Sequence, residues 1–181
     1  LLVCAIAVPF YTGPEQAKLR VSAAKWIQAA ADWQSASHAK SRLNMIGLQI
    51  QILTLIARQV CSIDGDHIWI PAGTLLRTAM HLGLHRDPSQ FPKISVYHGE
   101  MRRRLWATVL EITAQSSLDM GMPPMVSVND YDTEPPSNIN DEDMGDGIDT
   151  PLDVKPTTTL RTVAFKSGLH RHFLYGWRLS G

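Results

Sequence analysis

The chain has 181 residues, 44% apolar and 19% charged, so it can form one domain with a real core and is too apolar to be wholly disordered. Lysine plus arginine number 17 and aspartate plus glutamate number 17, which gives a formal net charge of zero. This balance argues against a dedicated nucleic-acid-binding domain, because such domains carry a basic excess that neutralises phosphate.

The two cysteines, Cys4 and Cys61, lie far apart and form no CxxC pair. This excludes a disulfide framework or a zinc site of the usual spacing, so we expect reduced thiols and an intracellular compartment. The opening apolar run, residues 1–10, is too short to span a bilayer, and we expect it to be the cut end of a buried helix. No other stretch is long and apolar enough to predict a membrane contact.

Two amphipathic helices are predicted next. Residues 15–37 are rich in alanine, and apolar residues recur at steps of three and four, which places Trp26 and Trp33 inward. Residues 40–60 repeat the pattern and predict a deeply buried helix. Its main stripe, widened by Leu48 and Ile52, consists of Leu43, Ile46, Ile50, Leu53, Ile56, Ala57 and Val60.

A third helix is predicted after a turn in which Asp64 and Asp66 can accept hydrogen bonds from its first N–H groups. Pro71 lies close to its start, where a missing N–H costs little in the first turn and would bend the axis further along. Gly83 offers a left-handed stop. The following loop, residues 85–92, contains two prolines and cannot be regular helix.

A fourth helix is predicted over residues 98–120. Glu100 and Arg104 form a possible i,i+4 pair away from its apolar stripe. Gly121 and the proline pair that follows it should end the helix. Beyond it the chain shows no further clean helical period.

The chain divides into three predicted parts. Residues 1–128 form a helical domain, residues 129–156 an acidic loop dense in proline and glycine, and residues 157–181 a poorly defined tail with a short helix or non-native sequence. No run alternates between apolar and polar residues, as strands do. The predicted fold class is all-α, an array of antiparallel amphipathic helices whose core includes Trp26, Ile50, Leu53, Leu76, Leu105 and Trp106.

Four short motifs follow one another along the chain. Residues 79–89 read AMHLGLHRDPS, residues 100–106 EMRRRLW, residues 121–124 GMPP and residues 129–132 NDYD. Their order and spacing together resemble the fungal-specific transcription factor domain over about residues 41–144, whereas the tail departs from it. The motif residues, for which we expect a structural role, are Gly83, Leu84, His85, Arg86, Asp87, Arg103, Arg104, Leu105, Trp106, Gly121, Pro123 and Pro124.

The resemblance implies a regulatory module of a nuclear transcription factor. In the family this module lies between an N-terminal six-cysteine zinc cluster, which binds DNA, and a C-terminal activation segment. Two cysteines cannot hold the paired zinc ions, so DNA and zinc are expected to bind outside these residues, and no cofactor is expected within them. The expected partners are DNA through that missing domain, other proteins and a small-molecule effector whose binding residues are unknown.

Leu84-His85-Arg86-Asp87 is similar to a kinase catalytic loop, in which the aspartate accepts a proton and an asparagine five residues later binds a metal. That later position is Pro92 here, and no glycine-rich phosphate loop accompanies the motif. We therefore predict that Asp87 and Arg86 satisfy backbone groups where the helix ends.

Two further patterns resemble metal sites without completing them. His81 and His85 have the i,i+4 spacing of zinc ligands, but the glutamate and third ligand of an HExxH site are missing, which favours surface or capping histidines. The aspartates of residues 141–149 are similar to a calcium loop, yet its twelfth position is Leu152 instead of glutamate. We predict no metal at either place.

Arg102, Arg103 and Arg104 fan around a helix and so cannot form one basic face. We expect Arg102 or Arg103 to reach carboxylates of the acidic segment. Arg102 also lies one turn before Trp106, where its guanidinium can stack on the indole. Trp106 itself is expected in the core rather than in a ligand cage.

Two hypotheses of function follow. The leading one is a non-catalytic regulatory domain that modulates RNA polymerase II transcription through an attached DNA-binding domain, by sensing a metabolite or contacting proteins. The second is a helical scaffold or adaptor that binds a partner peptide in a groove between helices. An enzyme is disfavoured, because the sequence shows no nucleophile paired with a base, no convergent carboxylates and no cofactor loop.

Overall fold

The structure is a computed structural model that describes residues 1–36, 43–63, 68–137 and 139. The described residues form helices, short 3-10 turns and irregular segments, with no strand among them, so the all-α prediction is confirmed. None of these helices is both long and apolar enough to cross a bilayer. In chain order they are α1 (Leu2–Ala7), α2 (Gln16–Ser35), α3 (Met45–Val60), α4 (Trp69–His81) and α5 (Val96–Asp119), with 3-10 turns at Val8–Phe10 and Pro88–Gln90.

Side-chain caps set the starts of α3 and α5. Asn44 Oδ1 accepts a hydrogen bond from the Gly47 N–H at 2.9 Å, so α3 begins later than the predicted start at residue 40. Ser95 Oγ accepts one from the His98 N–H at 3.3 Å, so α5 begins earlier than predicted. Each cap satisfies an N–H that the first helical turn leaves without a partner.

Helix α4 begins at Trp69, which places Pro71 in its first turn. The missing proline N–H is therefore harmless, which is the first of the two outcomes that the sequence leaves open. The residue before the helix, Ile68, supplies no side-chain cap. The predicted caps Asp64 and Asp66 lie outside the described residues.

Both predicted glycine stops are confirmed. α4 and α5 end just before Gly83 and Gly121, whose φ angles of 72° and 61° lie in the left-handed region. Glycine adopts this conformation without the steric cost that a Cβ atom imposes. The loop after Gly83 contains only the 3-10 turn Pro88–Gln90, in agreement with the prediction that it is not regular helix.

The helices pack around two apolar clusters. α1 lies against α2 and α3, α3 lies against α4, and α4 lies against α5. The larger cluster joins α3, α4 and α5 and includes Leu48, Ile52, Leu75, Leu84, Trp106 and Val109. The smaller cluster joins α1, α2 and α3 and consists of Ala5, Val8, Ala23, Ile27 and Ala57.

Half of the predicted core is fully buried. The buried residues are Leu76, Leu105 and Trp106, all on α4 or α5. The other three lie on α2 and α3 and are only half-buried, namely Trp26, Ile50 and Leu53. α4 and α5 pack against each other more extensively than any other pair of helices. For these two helices, the sequence identified the core correctly.

The predicted orientation of α3 is wrong. Leu48, Ile52 and Leu55 are buried, whereas Ile46 of the predicted main stripe is 65% exposed and Leu43, ahead of the helix, is also exposed. Apolar residues cover more than half of the circumference of α3, opposite Gln51 and Arg58, so their periodicity does not select which part of that arc is buried. The positions of α4 and α5 decide it.

The tryptophans of α2 do not both face inward. Trp26 packs against the smaller cluster beside the buried Ile27, but Trp33 is 41% exposed. The expectation that the first ten residues are a buried helix end is also only partly met, because Ala5 is buried while Val3 is exposed.

Residues 131–137 together with Ile139, called the strap below, cross the corner between α4 and α5. The Asp132 N–H donates to the His85 carbonyl at 3.0 Å, and Thr133 Oγ1 donates to the Leu84 carbonyl at 2.6 Å. Thr133 and Ile139 are buried. The described part of the predicted acidic loop is therefore packed against the helices, and the rest of that loop and the tail lie outside the described residues.

Candidate functional site: the corner between α4 and α5

The end of α4 forms the first part of the corner. The Gly83 N–H donates to Met80 O at 2.9 Å, and the Leu84 N–H donates to Ala79 O at 3.0 Å. These two bonds form a Schellman motif, which satisfies the last helical carbonyls and turns the chain away. Leu84 is fully buried as a result, and the residues after it are held at a fixed position next to α5.

Asp87 occupies the centre of the corner. Arg103 donates to it twice, from Nε to Oδ2 at 3.0 Å and from Nη2 to Oδ1 at 2.9 Å. The backbone N–H groups of Ser89 and Glu134 donate to the same carboxylate at 2.9 and 3.0 Å. Burial raises the pKa of the Asp87 carboxyl, but these hydrogen bonds together outweigh burial and hold the pKa well below its usual range.

This geometry bears on the two interpretations of Leu84-His85-Arg86-Asp87. Both oxygens of Asp87 accept hydrogen bonds, and Asp87 satisfies the backbone N–H groups of Ser89 and Glu134, as the structural interpretation expects. Arg86, in contrast, pairs with the carboxylate of Asp132 instead of a backbone group. Asp87 thereby ties the loop, α5 and the strap together.

Asp132 of the strap forms a second junction on the outside of the corner. Its Oδ1 accepts the Asp87 N–H at 2.8 Å, and its Oδ2 accepts Gln90 Nε2 at 2.7 Å and Arg86 Nη1 at 3.1 Å. These hydrogen bonds lower the pKa of the Asp132 carboxyl, the Asp87 N–H first. The ion pair with Arg86 is largely exposed, so we expect it to add little stability.

The three consecutive arginines of α5 have three different partners, as their spread around the helix requires. Arg102 donates to the Leu82 carbonyl at 3.0 Å, and Arg103 pairs with Asp87. Arg104 Nε donates to Glu100 at 3.3 Å, which confirms the predicted i,i+4 pair. No single basic face results.

One expectation for these arginines is wrong, because the Arg102 guanidinium lies over the Phe91 ring, 5.5 Å from its centroid, instead of over Trp106. Among the described residues, Arg103 binds the carboxylate of Asp87 in the preceding loop, and Glu134 of the acidic segment donates its backbone N–H to that carboxylate and, after Asp87 itself, raises the pKa of Arg103. The rest of the acidic segment, whose carboxylates the expectation also concerns, lies outside the described residues. The loop after α4 lies closer to this part of α5 than sequence distance suggests.

Trp106 is 2% exposed and lies in the larger cluster, in agreement with its predicted core role. Its ring contacts Tyr131 of the strap edge-on, with centroids 5.5 Å apart, and His85 at 6.3 Å. Leu105 is buried beside it. The strap therefore covers an aromatic surface as well as forming hydrogen bonds.

The arrangement does not bring His81 and His85 together as a zinc pair. α4 ends at His81, and the left-handed Gly83 separates the two residues, so they do not share one helical face. His81 is exposed, whereas His85 is turned against Trp106. Among the described residues, no group of three histidine, cysteine or carboxylate side chains could hold a metal ion. Residues 141–152, the possible calcium loop, lie outside them.

Glu100 fastens the far end of the strap. Its Oε1 accepts the Ser137 N–H at 2.9 Å as well as Arg104 Nε, and Arg104 Nη2 donates to the Ile139 carbonyl at 2.7 Å. Glu100 is 1% exposed. Burial raises the pKa of its carboxyl, and the opposing effects of Arg104 and Ser137 are smaller.

The remaining motif residues lie at the other end of α5. Gly121, Pro123 and Pro124 follow the helix and are exposed. At 1.5 Å of rise per residue, they are roughly 25 Å along the helix from Arg103. The structure thus brings the Gly83–Asp87 and Arg103–Trp106 motifs together and places the GMPP motif elsewhere, where it turns the chain back towards the corner.

A groove of about 440 Å³ opens between α2, α3 and α4, away from the corner. Trp33, Leu43 and Ile70 line it and are partly exposed, and Arg58 adds a charged group. The volume is within the range of small-molecule sites. The sequence indicates a groove between helices in general terms but not which helices form it.

Sequence reasoning missed the burial of Glu100, Thr133 and Ile139. The sequence indicates Glu100 only as a partner of Arg104 away from the apolar stripe, and it does not predict burial because charged residues are seldom fully buried. Thr133 and Ile139 lie in a segment whose composition is typical of a loop. The one feature of the sequence that could have indicated a structural role for this segment is Asp132, because it belongs to the NDYD motif that supports the family resemblance.

Comparisons with known proteins bear on the family resemblance that these motifs suggest. A family model described as the fungal specific transcription factor domain matches residues 1–175. The chain belongs to this family. The match of the fungal transcription factor domain includes most of residues 157–181, the segment that the sequence pattern places outside the resemblance. No solved structure matches the chain.

Three relatives illustrate the similarity of this fungal transcription factor domain to curated proteins. Transcription factor asR3 of Sarocladium schorii is 44% identical over 144 residues, covering 79% of this chain and 17% of that protein. Transcription factor lepE of Aspergillus flavus is 40% identical, covering 81% and 17%. Transcription factor opdR of Penicillium oxalicum is 40% identical, covering 94% and 22%. The chain thus spans about a fifth of each relative's length.

Proposed function

We propose that this chain is part of a regulatory domain that modulates RNA polymerase II transcription in the nucleus and has no catalytic activity of its own. Family membership over residues 1–175 carries the proposal, and the names of the relatives as transcription factors support it. DNA contact and zinc would belong to a six-cysteine cluster outside these residues. The chain itself would need no cofactor.

The chemistry of the corner supports a control role rather than a reaction. The two carboxylates of the corner, Asp87 and Asp132, hold elements together, Asp87 most completely. We infer that the motif residues set the relative positions of α4, α5 and the strap. A regulatory domain needs such a defined shape in order to respond to a partner or an effector.

Deletion of residues 1–181 from the complete factor tests the proposal. Transcription of a reporter gene should change, while DNA binding by the N-terminal domain, measured in vitro, should stay the same. Chromatin occupancy and factor abundance, measured in the same cells, separate regulation from loss of protein. Unchanged reporter output at equal abundance would refute a regulatory role.

The groove between α2, α3 and α4 favours a second candidate function, that of an adaptor that binds a partner peptide. Ile70 at its edge is 70% exposed and, with Trp33 and Leu43, gives the groove an exposed apolar margin. An adaptor would not require a zinc cluster upstream in the same gene. The presence of a basic CxxC-rich segment there would favour the transcription factor.

A matched pair of substitutions tests whether the groove is used, in a transcription factor or in an adaptor. Ile70→Asp places a charge at the groove, and Val21→Asp places one on an exposed site of α2 that does not line it. Loss of function in I70D but not in V21D, at equal thermal stability, would show that the groove is used. Equal behaviour of the two variants would exclude this use.

A further inference from the structure

The two oxygens of the buried Glu100 carboxyl have different surroundings. Oε1 accepts two hydrogen bonds, from the Ser137 N–H at 2.9 Å and Arg104 Nε at 3.3 Å. Oε2 is equally buried and has no partner among the residues that the structure describes. In a carboxylate, the charge is shared by both oxygens, and each needs donors.

A buried ionised oxygen without a donor costs far more free energy than a neutral hydroxyl in the same place. A neutral carboxyl has one carbonyl oxygen, which accepts hydrogen bonds, and one hydroxyl, whose O–H donates. At Oε2 this O–H has no acceptor among the described residues, which costs less free energy than an unpaired ionised oxygen. The surroundings of Glu100 match this unequal pair. We propose that Glu100 is a protonated carboxylic acid when the strap is closed, so that closing the strap takes up one proton from solvent.

The charges around Glu100 allow this assignment. Arg103 and Arg104 are the nearby cations of α5, and both oppose protonation. Arg103 is neutralised by Asp87 of the loop, and Glu134 of the strap lies close enough to Arg103 to affect it. Arg104 also donates to the Ile139 carbonyl. Burial outweighs these cations and raises the pKa of Glu100 above its ordinary value of 4.5.

The direction of the pH effect follows from linkage. Burial under the closed strap raises the pKa of Glu100. We expect Glu100 to meet solvent and to have an ordinary pKa when the strap opens. Closure is therefore strongest below 4.5 and weakens as the pH rises through the raised value. The closing equilibrium should change by up to about tenfold per pH unit within that window. The Asp87 carboxyl, which binds the other end of the strap through the Glu134 N–H, remains ionised throughout this pH window.

Infrared difference spectroscopy on the complete 181-residue chain tests the protonation state. The expected result is a carbonyl band of a protonated carboxyl that persists above pH 4.5 and disappears in Glu100→Gln. Glu134→Gln removes an exposed carboxyl of the same strap and is the control, in which the band should remain. Absence of the band in the wild-type chain, or its survival in E100Q, would overturn the proposal.

Amide hydrogen exchange tests the coupling to closure. After correction for intrinsic exchange, protection of the Ser137 amide should fall with rising pH in the wild type and in E134Q, and should be independent of pH in E100Q. A neutral amide imitates the neutral carboxyl, so E100Q should fold and keep the strap closed. Failure of E100Q to fold, or an equal pH slope in all three proteins, would show that the ionised form holds the strap.

Discussion

Asp87 illustrates how much a single side chain can organise when its neighbours are donors. Its two oxygens receive a bidentate arginine and two backbone N–H groups from three separate segments of the corner. Removal of one member of a buried ion pair leaves the other charge without compensation. The motif residues Asp87 and Arg103 therefore matter for the stability of the fold, irrespective of any ligand.

The first prediction concerns this pair. Asp87→Ala or Arg103→Ala should each lower the free energy of unfolding by about 3–5 kcal/mol, because a buried charge loses its partner. Arg86→Ala is the control, since its exposed pair with Asp132 should contribute less than about 1 kcal/mol. Urea denaturation followed by circular dichroism measures all three. Similar losses for R86A and R103A would contradict the assigned roles.

The second prediction concerns acid. The Asp87 pKa is held below its ordinary value of 3.8, so the stability this group adds is present above that value and is lost as the pH falls through the lowered one. Stability of the wild type should therefore fall steeply below about pH 4. Asp87→Asn, which cannot ionise, should start less stable and show a shallower acid limb. Equal slopes would contradict the assignment.

The third prediction concerns the aromatic core. Trp106→Ala should cost about 3–5 kcal/mol, because a large buried side chain leaves a cavity next to Tyr131 and His85. Trp33→Ala, at a 41% exposed site, should cost clearly less. Chemical denaturation with matched m-values gives both numbers. A neutral effect of W106A would be incompatible with the packing described for α5.

At the scale of elements, the ends of helices prove as informative as their middles. The stops at Gly83 and Gly121 are visible in the sequence because a left-handed residue after a helix is usually glycine. The face that a helix buries is less visible. α5 presents the predicted Trp106 to the core, whereas α3, apolar over a wide arc, buries Leu48 instead of Ile46.

The fourth prediction compares the two helix stops. Gly121→Ala meets no atom within 4 Å, so its cost should be the strain of a left-handed alanine alone, about 1–2 kcal/mol. Gly83→Ala carries the same strain and also brings the new Cβ to 3.3 Å from Arg102 Nη2. It should therefore be the more destabilising of the two in thermal or urea unfolding. Equal losses would mean that Arg102 can move away at no cost, and the reverse order would contradict the prediction.

At the scale of the whole molecule, the strap closes the larger cluster. Thr133 and Ile139 are buried although they lie beyond the last described helix. The two ends of the strap are held by different chemistry, an ionised Asp87 and the buried Glu100. The boundary predicted at residue 128 stays a prediction, and the strap provides a direct way to test it.

The fifth prediction is a truncation. A chain that ends at residue 128 should be less stable than one that ends at residue 139, because burial of Ile139 alone contributes about 2 kcal/mol. Loss of the Glu134 N–H that donates to Asp87 should add to the difference. Denaturation of the two chains under identical conditions measures it. Equal stability would place the boundary of the stable unit before the strap.

The sequence by itself determined the local features of this protein. Helical periodicity and the stops at Gly83 and Gly121 depend on neighbouring residues only, so they can be read without a fold. The family motifs are local in the same sense, and the comparisons agree with them. The i,i+4 pair of Glu100 and Arg104 belongs here as well.

Only the tertiary structure decided the rest. The buried face of α3, the pairing of Arg103 with Asp87 and the burial of Glu100 under the strap all join segments that are distant in sequence. Such contacts depend on which surfaces meet after the helices have formed, and an apolar pattern that fits several faces does not select one. The unequal surroundings of the two Glu100 oxygens arise in the same way. They depend on the strap, whose composition is typical of a loop and therefore does not predict that it packs against α5.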